Sequence, residues 1–223
     1  MYELPLFPLN TVLFPGQPLP LHIFEDRYKD MIGTCIDNQS PFGIVLLESG
    51  TAELDPTRTA STIKPYEIGC TAQITQVRRL AGGRLNITVV GVERFRIYQI
   101  HQDKSYLTGT VENLPVIEGD SKVVQRDAAF MQRWIERYLR VLENAQQIEP
   151  GIRQLPSDPR ALAYLAAVLL HGISMEQKQQ LLAAEALDTM LNALRDIYRR
   201  EVVLLETMLS PPEEEFTGSF SLN

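Results

Sequence analysis

The hydrophobic period of the chain changes near residue 119, and this change constrains the fold more than any other feature. Before that point, apolar residues alternate or form short runs rich in Val, Ile, Thr and Tyr, the pattern of β-strands. The clearest runs are FGIVLL (42–47), CTAQITQV (70–77), LNITVVGVERFRIYQI (85–100) and YLTGTVENL (106–114). After that point, apolar residues recur with the 3.6-residue period of helices. Strands followed by helices predict an α+β fold.

Glycines and prolines in the first half predict a β-barrel. Gly82 and Gly83 separate two strand runs and supply the positive φ of a tight hairpin. Gly91, inside the longest run, predicts the bulge or bend that a closed barrel needs at a corner. Five prolines within residues 4–28 divide this segment into short extended pieces, YELPLF, TVLF and LPLHIF, which suit barrel edges and corners. FEDRYKDMIGTCIDN, residues 24–38, predicts one helix against the sheet.

The second half predicts four helices, with recognisable ends. Ser121 is the expected N-cap of the first helix. Asp158 and Pro159 are the expected N-cap and first helical residue of the second, which Gly172 should terminate. SMEQ, residues 174–177, is a capping-box pattern for the third. A long apolar stripe from residue 187 to residue 209 predicts the fourth.

These patterns divide the chain into a barrel subdomain at 1–118, a helical bundle at 119–209 and an acidic tail at 210–223. The tail, SPPEEEFTGSFSLN, is expected to be disordered because it combines prolines, acids and small polar residues. The alternative is that Phe216 and Phe220 form a docking motif there.

Charge and composition favour a soluble cytoplasmic protein. The start of the chain lacks the basic region and unbroken apolar run of a signal peptide, and no apolar stretch is long enough for a membrane span. The net charge of −7 is shared almost evenly between the halves, so neither resembles a basic nucleic-acid-binding domain. Cys35 and Cys70 are too few for a disulfide framework and are expected to be reduced core thiols.

The sequence predicts no catalytic residues, no metal site and no cofactor. None of the lysines follows a glycine, which excludes a phosphate-binding GxxxxGK[ST] loop. His22, His101 and His171 have no metal-ligand spacing. The nucleophile motif GxSxG is absent, so we expect a protein that is not an enzyme.

The segment LPLFPLNTVLFPGQPLPLHIFEDRYKDMI resembles the start of the Lon substrate-binding (N-terminal) domain family. The likeness continues through FGIVLLESG, YEIGCTAQITQV, GGRLNITVVGVERFRI and YLTGTVENLP, and through the helical half to about residue 209. It implies a PUA-like β-barrel followed by a helical bundle, and a role in recognising exposed segments of protein substrates. It further implies a stand-alone, non-catalytic domain of protein quality control without the ATPase and peptidase domains of Lon. Asn10 and Asp26 depart from residues common in the family.

The resemblance and the apolar start together predict a peptide-binding surface at the barrel rim. Unpaired backbone groups and apolar side chains there would accept an extended apolar segment of an unfolded or misfolded polypeptide. The candidate residues are Leu6, Phe7, Leu13, Phe14 and Phe24. The alternative is that these side chains fill the barrel and its contact with the helices.

Two further functions stay open. The first is RNA binding, because five arginines cluster within residues 78–96: Arg78, Arg79, Arg84, Arg94 and Arg96. The overall acidity of the chain and the few aromatic residues nearby make a nucleic-acid partner the less favoured prediction. The second is an adaptor role, in which the helices dock onto a separate ATPase or protease while the barrel presents cargo.

Overall fold

A computed structural model describes residues 1–49, 64–144 and 154–209 of the 223-residue chain. The first half contains β1 (Tyr2–Leu9), β2 (Pro18–Ile23), α1 (Asp26–Asp37), β3 (Phe42–Ser49), β4 (Lys64–Pro65), β5 (Ile68–Arg79), β6 (Leu85–His101) and β7 (Leu107–Asn113). The second half contains α2 (Ser121–Asn144), α3 (Pro159–Leu169), α4 (Met175–Ala183) and α5 (Leu187–Leu209). The predicted α+β fold, with strands followed by four helices, is confirmed.

Five strands close into a barrel. Their order is β1–β7–β6–β5–β3, and the ring closes because β1 also pairs with β3. The β1–β3 pairing is parallel, with Leu6 opposite Gly43, whereas the other pairings are antiparallel. The two remaining strands, β2 and β4, lie beside β6 and β3 respectively. The predicted barrel is therefore present.

The long strand β6 bends at Gly91, as predicted. Its first half pairs with β2 and its second half with β7, so one edge of β6 serves two neighbours. The register with β5 shifts between Gly91 and Arg94, where β6 carries an extra residue. The Thr71 hydroxyl donates to the Glu93 carbonyl and accepts from the Glu93 amide, which satisfies the backbone of the bulge. Gly82 and Gly83 have φ of +72° and +70°, as the predicted hairpin requires.

Helix ends follow most of the sequence signals. Asp158 directly precedes Pro159, the first residue of α3, and its carboxylate accepts a hydrogen bond from the Ala161 amide. The capping box of Ser174 and Gln177 at the start of α4 is complete. At the start of α2, however, the Lys122 amide donates to the Asp120 carboxylate at 2.8 Å, so Asp120 and not Ser121 supplies the side-chain cap.

Two other local predictions are wrong. The α3 helix already ends at Leu169, with Leu170 as C-cap, and Gly172 does not have the positive φ of a terminating glycine. The piece TVLF, residues 11–14, is not a strand. Its residues Val12, Leu13 and Phe14 are buried in a connection between β1 and β2.

Barrel and helices share one hydrophobic cluster. Val12, Phe14, Leu46 and Ile68 from the first half pack with buried residues of all four C-terminal helices. The change from strands to helices falls between residues 113 and 121, close to the predicted boundary at 118. The division into subdomains at 1–118 and 119–209 stays a prediction. The predicted tail, 210–223, lies outside the described residues.

Candidate functional site

Four of the five residues predicted to bind peptide lie in the interior. Leu6, Phe7, Leu13 and Phe14 are at most 6% exposed. The Phe7 ring packs 4.2 Å from the ring of Tyr28 in α1, and the Phe14 ring 6.3 Å from that of Tyr164 in α3.

These four residues fill the barrel and its contacts with the helices, so as placed they offer no surface to a ligand. Their expected place at an open rim is corrected: Leu6 and Phe7 pack in two different hydrophobic clusters, and Leu13 and Phe14 lie beneath the bend of β6. Peptide binding by these residues stays a prediction. Only Phe24 is exposed, at 56%, where it stacks on His22.

The five arginines are divided among three environments. Arg78, Arg79 and Arg84 are exposed along the β5–β6 hairpin. Arg94 is 2% exposed, and Arg96 is half-buried. The cluster read from the sequence is therefore not one continuous basic surface, and RNA binding by all five stays a prediction without this geometric support.

The cysteine and histidine side chains, residue types that often act in catalysis or metal binding, have ordinary structural surroundings. Cys35 and Cys70 are buried and unbridged, as predicted, and burial raises the pKa of Cys70 to about 12. His22 hydrogen bonds with Asn86, and His101 with Thr110. Within residues 1–49, 64–144 and 154–209, no three His, Cys, Asp or Glu side chains group as metal ligands. In the same ranges, no helix has the length and apolarity to cross a membrane.

The free edge of β2 is poorly suited to strand addition. In the described ranges this strand pairs only with β6. Pro18 and Pro20 occupy two of its six positions and have no amide to donate. Prolines on an edge strand protect it from pairing with other chains. A ligand-binding surface is therefore better sought elsewhere on the barrel.

A cleft at the junction of barrel and helices is the best candidate for a binding site. It has a volume of about 370 Å³, at the small end of ligand sites in proteins. We call it the junction cleft; its lining residues are Pro15, Val92, Glu93, Arg94, Asn113, Leu114, Pro115, Val116, Arg160 and Tyr164. Four segments thus build it: the β1–β2 connection, the bulge of β6, the chain after β7 and the first turns of α3.

The bend at Gly91 positions one wall of this cleft. The Gly16 amide donates to the Gly91 carbonyl at 2.8 Å, and the Gly91 amide donates to the Gln17 carbonyl at 3.0 Å. These two bonds attach the segment containing Pro15 to β6. Beyond the bend, the bulge turns Val92 outward, so that it is 50% exposed at the cleft. The same local irregularity therefore bends β6 and forms the wall.

Arg94 joins the barrel to the helices at the base of the cleft. Its Nη1 donates to the carbonyls of Leu182 and Ala184 at the end of α4, both at 2.6 Å. Its Nε donates to the Leu114 carbonyl at 3.2 Å, whereas its buried Nη2 has no hydrogen-bond partner among the described residues. Burial lowers the pKa of this guanidinium; Tyr164 opposes that fall, and the charge of Arg160 adds to it. In the described residues no Asp or Glu forms an ion pair with it.

Arg160 adds a second positive charge to the cleft. It lies in the first turn of α3, and its Nη2 donates to Glu118 at 2.8 Å. Its buried Nε has no hydrogen-bond partner in the part of the chain that the structure describes. The Glu118 side chain is 82% exposed, so this pair is a weak surface ion pair. Burial raises the pKa of the Tyr164 phenol, and the charges of both arginines oppose that rise. The base of the cleft is thus cationic within an acidic protein.

Sequence patterns missed most of the cleft because its residues are distant in the chain. Pro115 and Tyr164 carry no motif, and only the fold brings them beside Val92. Arg94 and Phe95 are adjacent in β6 and both buried, because Arg94 faces the end of α4 while Phe95 packs with residues of the barrel.

Comparisons with known proteins agree on one family. The family model for the "ATP-dependent protease La (LON) substrate-binding domain" matches residues 3–200. Lon protease 1 of Hydrogenovibrio crunogenus is 24% identical over 203 residues, which cover 89% of this chain and 24% of the relative. Lon protease 1 of Herpetosiphon aurantiacus is 26% identical over 215 residues, which cover 92% and 25%. The chain therefore spans about a quarter of the length of these curated relatives.

Solved structures show the same fold. The N-terminal domain of the Mycobacterium avium complex Lon protease superimposes with a TM-score of 0.66 at 22% identity, covering 89% of this chain and 98% of that one. A Lon N-terminal domain protein from Xanthomonas campestris gives a TM-score of 0.57 at 23% identity, covering 87% and 97%.

Proposed function

Because the chain belongs to the substrate-binding domain family of the ATP-dependent protease La (Lon), we propose that it binds exposed apolar segments of polypeptides without cleaving them. The junction cleft is the proposed binding surface. The observation that carries the proposal is an open cleft with apolar walls, bordered by the exposed side chain of Val92, in a chain of this family.

The walls of the cleft suit an extended, unstructured ligand. Val92, Pro115 and Pro15 present apolar groups, and neither proline offers an amide that needs a partner. Segments hidden in folded proteins cannot enter, since a cleft of about 370 Å³ has room for only a few side chains. Selection would then depend on whether a segment is exposed and apolar.

The expected affinity is modest. Burial of one apolar side chain contributes about 1.5 to 3 kcal/mol. Three such side chains would give a dissociation constant near 1 µM, about −8 kcal/mol, if the cost of ordering the peptide stays small. Weak binding of many sequences suits the recognition of misfolded chains.

A binding titration tests the proposal. Reduced, carbamidomethylated α-lactalbumin, which stays unfolded, should bind with micromolar affinity, whereas the disulfide-intact protein should not bind. Val92→Asp should weaken binding at least tenfold, because a bound apolar segment would desolvate the new carboxylate. The matched control is Val77→Asp, which alters another exposed valine on a surface that shares no lining residue with the cleft. Equal loss in both variants would contradict the cleft as the site.

The absence of catalysis is part of the proposal. The matched family model is that of a substrate-binding domain, and both cysteine thiols have raised pKa values. Purified protein should neither hydrolyse ATP nor cleave unfolded α-lactalbumin. A cytoplasmic location and a Lon-type ATPase and peptidase as partner are the setting that this role implies.

A further inference from the structure

The cationic base of the junction cleft indicates which apolar segments it would prefer. Arg94 is 98% buried, its three hydrogen bonds all go to neutral backbone carbonyls, and its Nη2 has none. A buried charge normally has a charged partner or a full set of hydrogen bonds. This guanidinium has neither among the residues that the structure describes.

Arg160 is a second arginine of the cleft whose hydrogen bonds are incomplete. Within the described ranges, the Nε of Arg160 is buried without a hydrogen-bond partner, and the carboxylate of its ion-pair partner Glu118 is largely exposed. The one acid among the lining residues is Glu93, which accepts a hydrogen bond from the Asn113 side chain. Two arginines therefore act on a cleft with a single acidic lining residue.

We propose that the junction cleft binds a carboxylate of the captured polypeptide, held between Arg94 and Arg160, while the apolar walls hold the neighbouring side chains. This inference rests on the proposed function and specifies its substrates. Guanidinium groups bind carboxylates through charge-assisted hydrogen bonds, which are strong in partly desolvated sites. The carboxylate is either the C-terminus of the polypeptide or the side chain of Asp or Glu.

Three fluorescein-labelled peptides test the inference by fluorescence anisotropy. All are based on one sequence of eight leucine, valine and glycine residues, which the third peptide changes at one position. The first ends in a free carboxylate and the second in an amide; the third is an amide with glutamate at one central position. Wild-type protein should bind at least one carboxylate peptide about tenfold more tightly than the neutral amide, a difference of about 1.4 kcal/mol. If only the first peptide binds more tightly than the amide, the cleft recognises the C-terminal carboxylate. If the third binds more tightly, the cleft recognises the carboxylates of acidic side chains.

Variants connect the preference to the cleft. Arg160→Met should reduce the tenfold ratio of affinities for the carboxylate and amide peptides to below threefold. Arg84→Met is the matched control, because it removes the same charge at the exposed hairpin. Its ratio should equal that of the wild type. Arg94→Met should also abolish the preference, and urea denaturation of that variant confirms that the protein tested is folded.

The outcomes separate the inference from the proposed function. Equal affinity for the amide and both carboxylate peptides overturns the inference and leaves apolar capture intact. A preference that survives Arg160→Met, or that Arg84→Met also removes, overturns the assignment to this cleft. Failure of all three peptides and of unfolded α-lactalbumin to bind overturns both.

Discussion

Replacing Gly91 with alanine should destabilise the protein and damage the junction cleft together. An ideal Cβ at this position would lie 2.2 Å from the Phe14 carbonyl oxygen and 2.9 Å from the Phe14 carbonyl carbon. Both are backbone atoms, so the β1–β2 connection must move away from β6. That movement would break the two hydrogen bonds between Gly91 and residues 16 and 17, each contributing about 0.5 to 1.5 kcal/mol.

Gly91→Ala should lower the free energy of unfolding by about 3 kcal/mol. Beyond the two hydrogen bonds, the shift would loosen the packing of Leu13 and Phe14, which are each 1% exposed. Large-to-small changes at such core sites cost about 2 to 5 kcal/mol, and a partial displacement should cost a fraction of that. Because Pro15 lies on the same connection, affinity for unfolded α-lactalbumin should fall as well.

Urea denaturation followed by circular dichroism measures this loss. Gly33→Ala is the matched control: Gly33 lies within α1, and a Cβ there meets nothing within 4 Å. Alanine at a helix interior should stabilise by about 0.5 to 1 kcal/mol. If Gly91→Ala is as stable as the wild type to within about 0.5 kcal/mol, the claim that β6 bends here to receive the connection is refuted.

Three further changes test other parts of the structure. Arg94→Met should cost about 3 kcal/mol in urea denaturation, because it leaves backbone carbonyls of α4 unpaired in the interior; an unchanged midpoint would contradict the bridge between barrel and helices. Ser174→Ala should cost about 1 kcal/mol by removing the capping box of α4, and a loss below about 0.3 kcal/mol would contradict that cap. Cys70 should resist iodoacetamide at pH 8 until urea unfolds the protein, since burial raises its pKa to about 12. Rapid alkylation of the folded protein would contradict the burial. Because the folded state holds the thiol proton more tightly than the unfolded state, the free energy of unfolding should fall as the pH rises from about 9 to about 12, and Cys70→Ala should make that fall smaller.

Local signals in the sequence predicted the local structure well. Gly82 and Ser174 each act through the backbone within a few residues, so their roles could be predicted without knowledge of the fold. Where two polar residues competed within one turn, as Asp120 and Ser121 do, the pattern could not decide which would cap the helix.

The site was harder to predict because burial depends on what packs against an element. Leu6 and Phe14 are apolar residues beside prolines, a pattern that suits a rim and an interior equally. The positive charge of Arg94 suggested a surface residue, yet the bulge turns it inward, where the carbonyls at the end of α4 bind it. Those carbonyls come from about 90 residues later in the chain.

Site-specific cross-linking tests the central claim most directly. A photoreactive benzoylphenylalanine in place of Val92 should cross-link to unfolded α-lactalbumin, and an excess of unlabelled unfolded protein should compete. The same group in place of Val77, which is also exposed, should give little product. Equal yields at the two positions, or none at Val92, would contradict the claim that the junction cleft is where polypeptide binds.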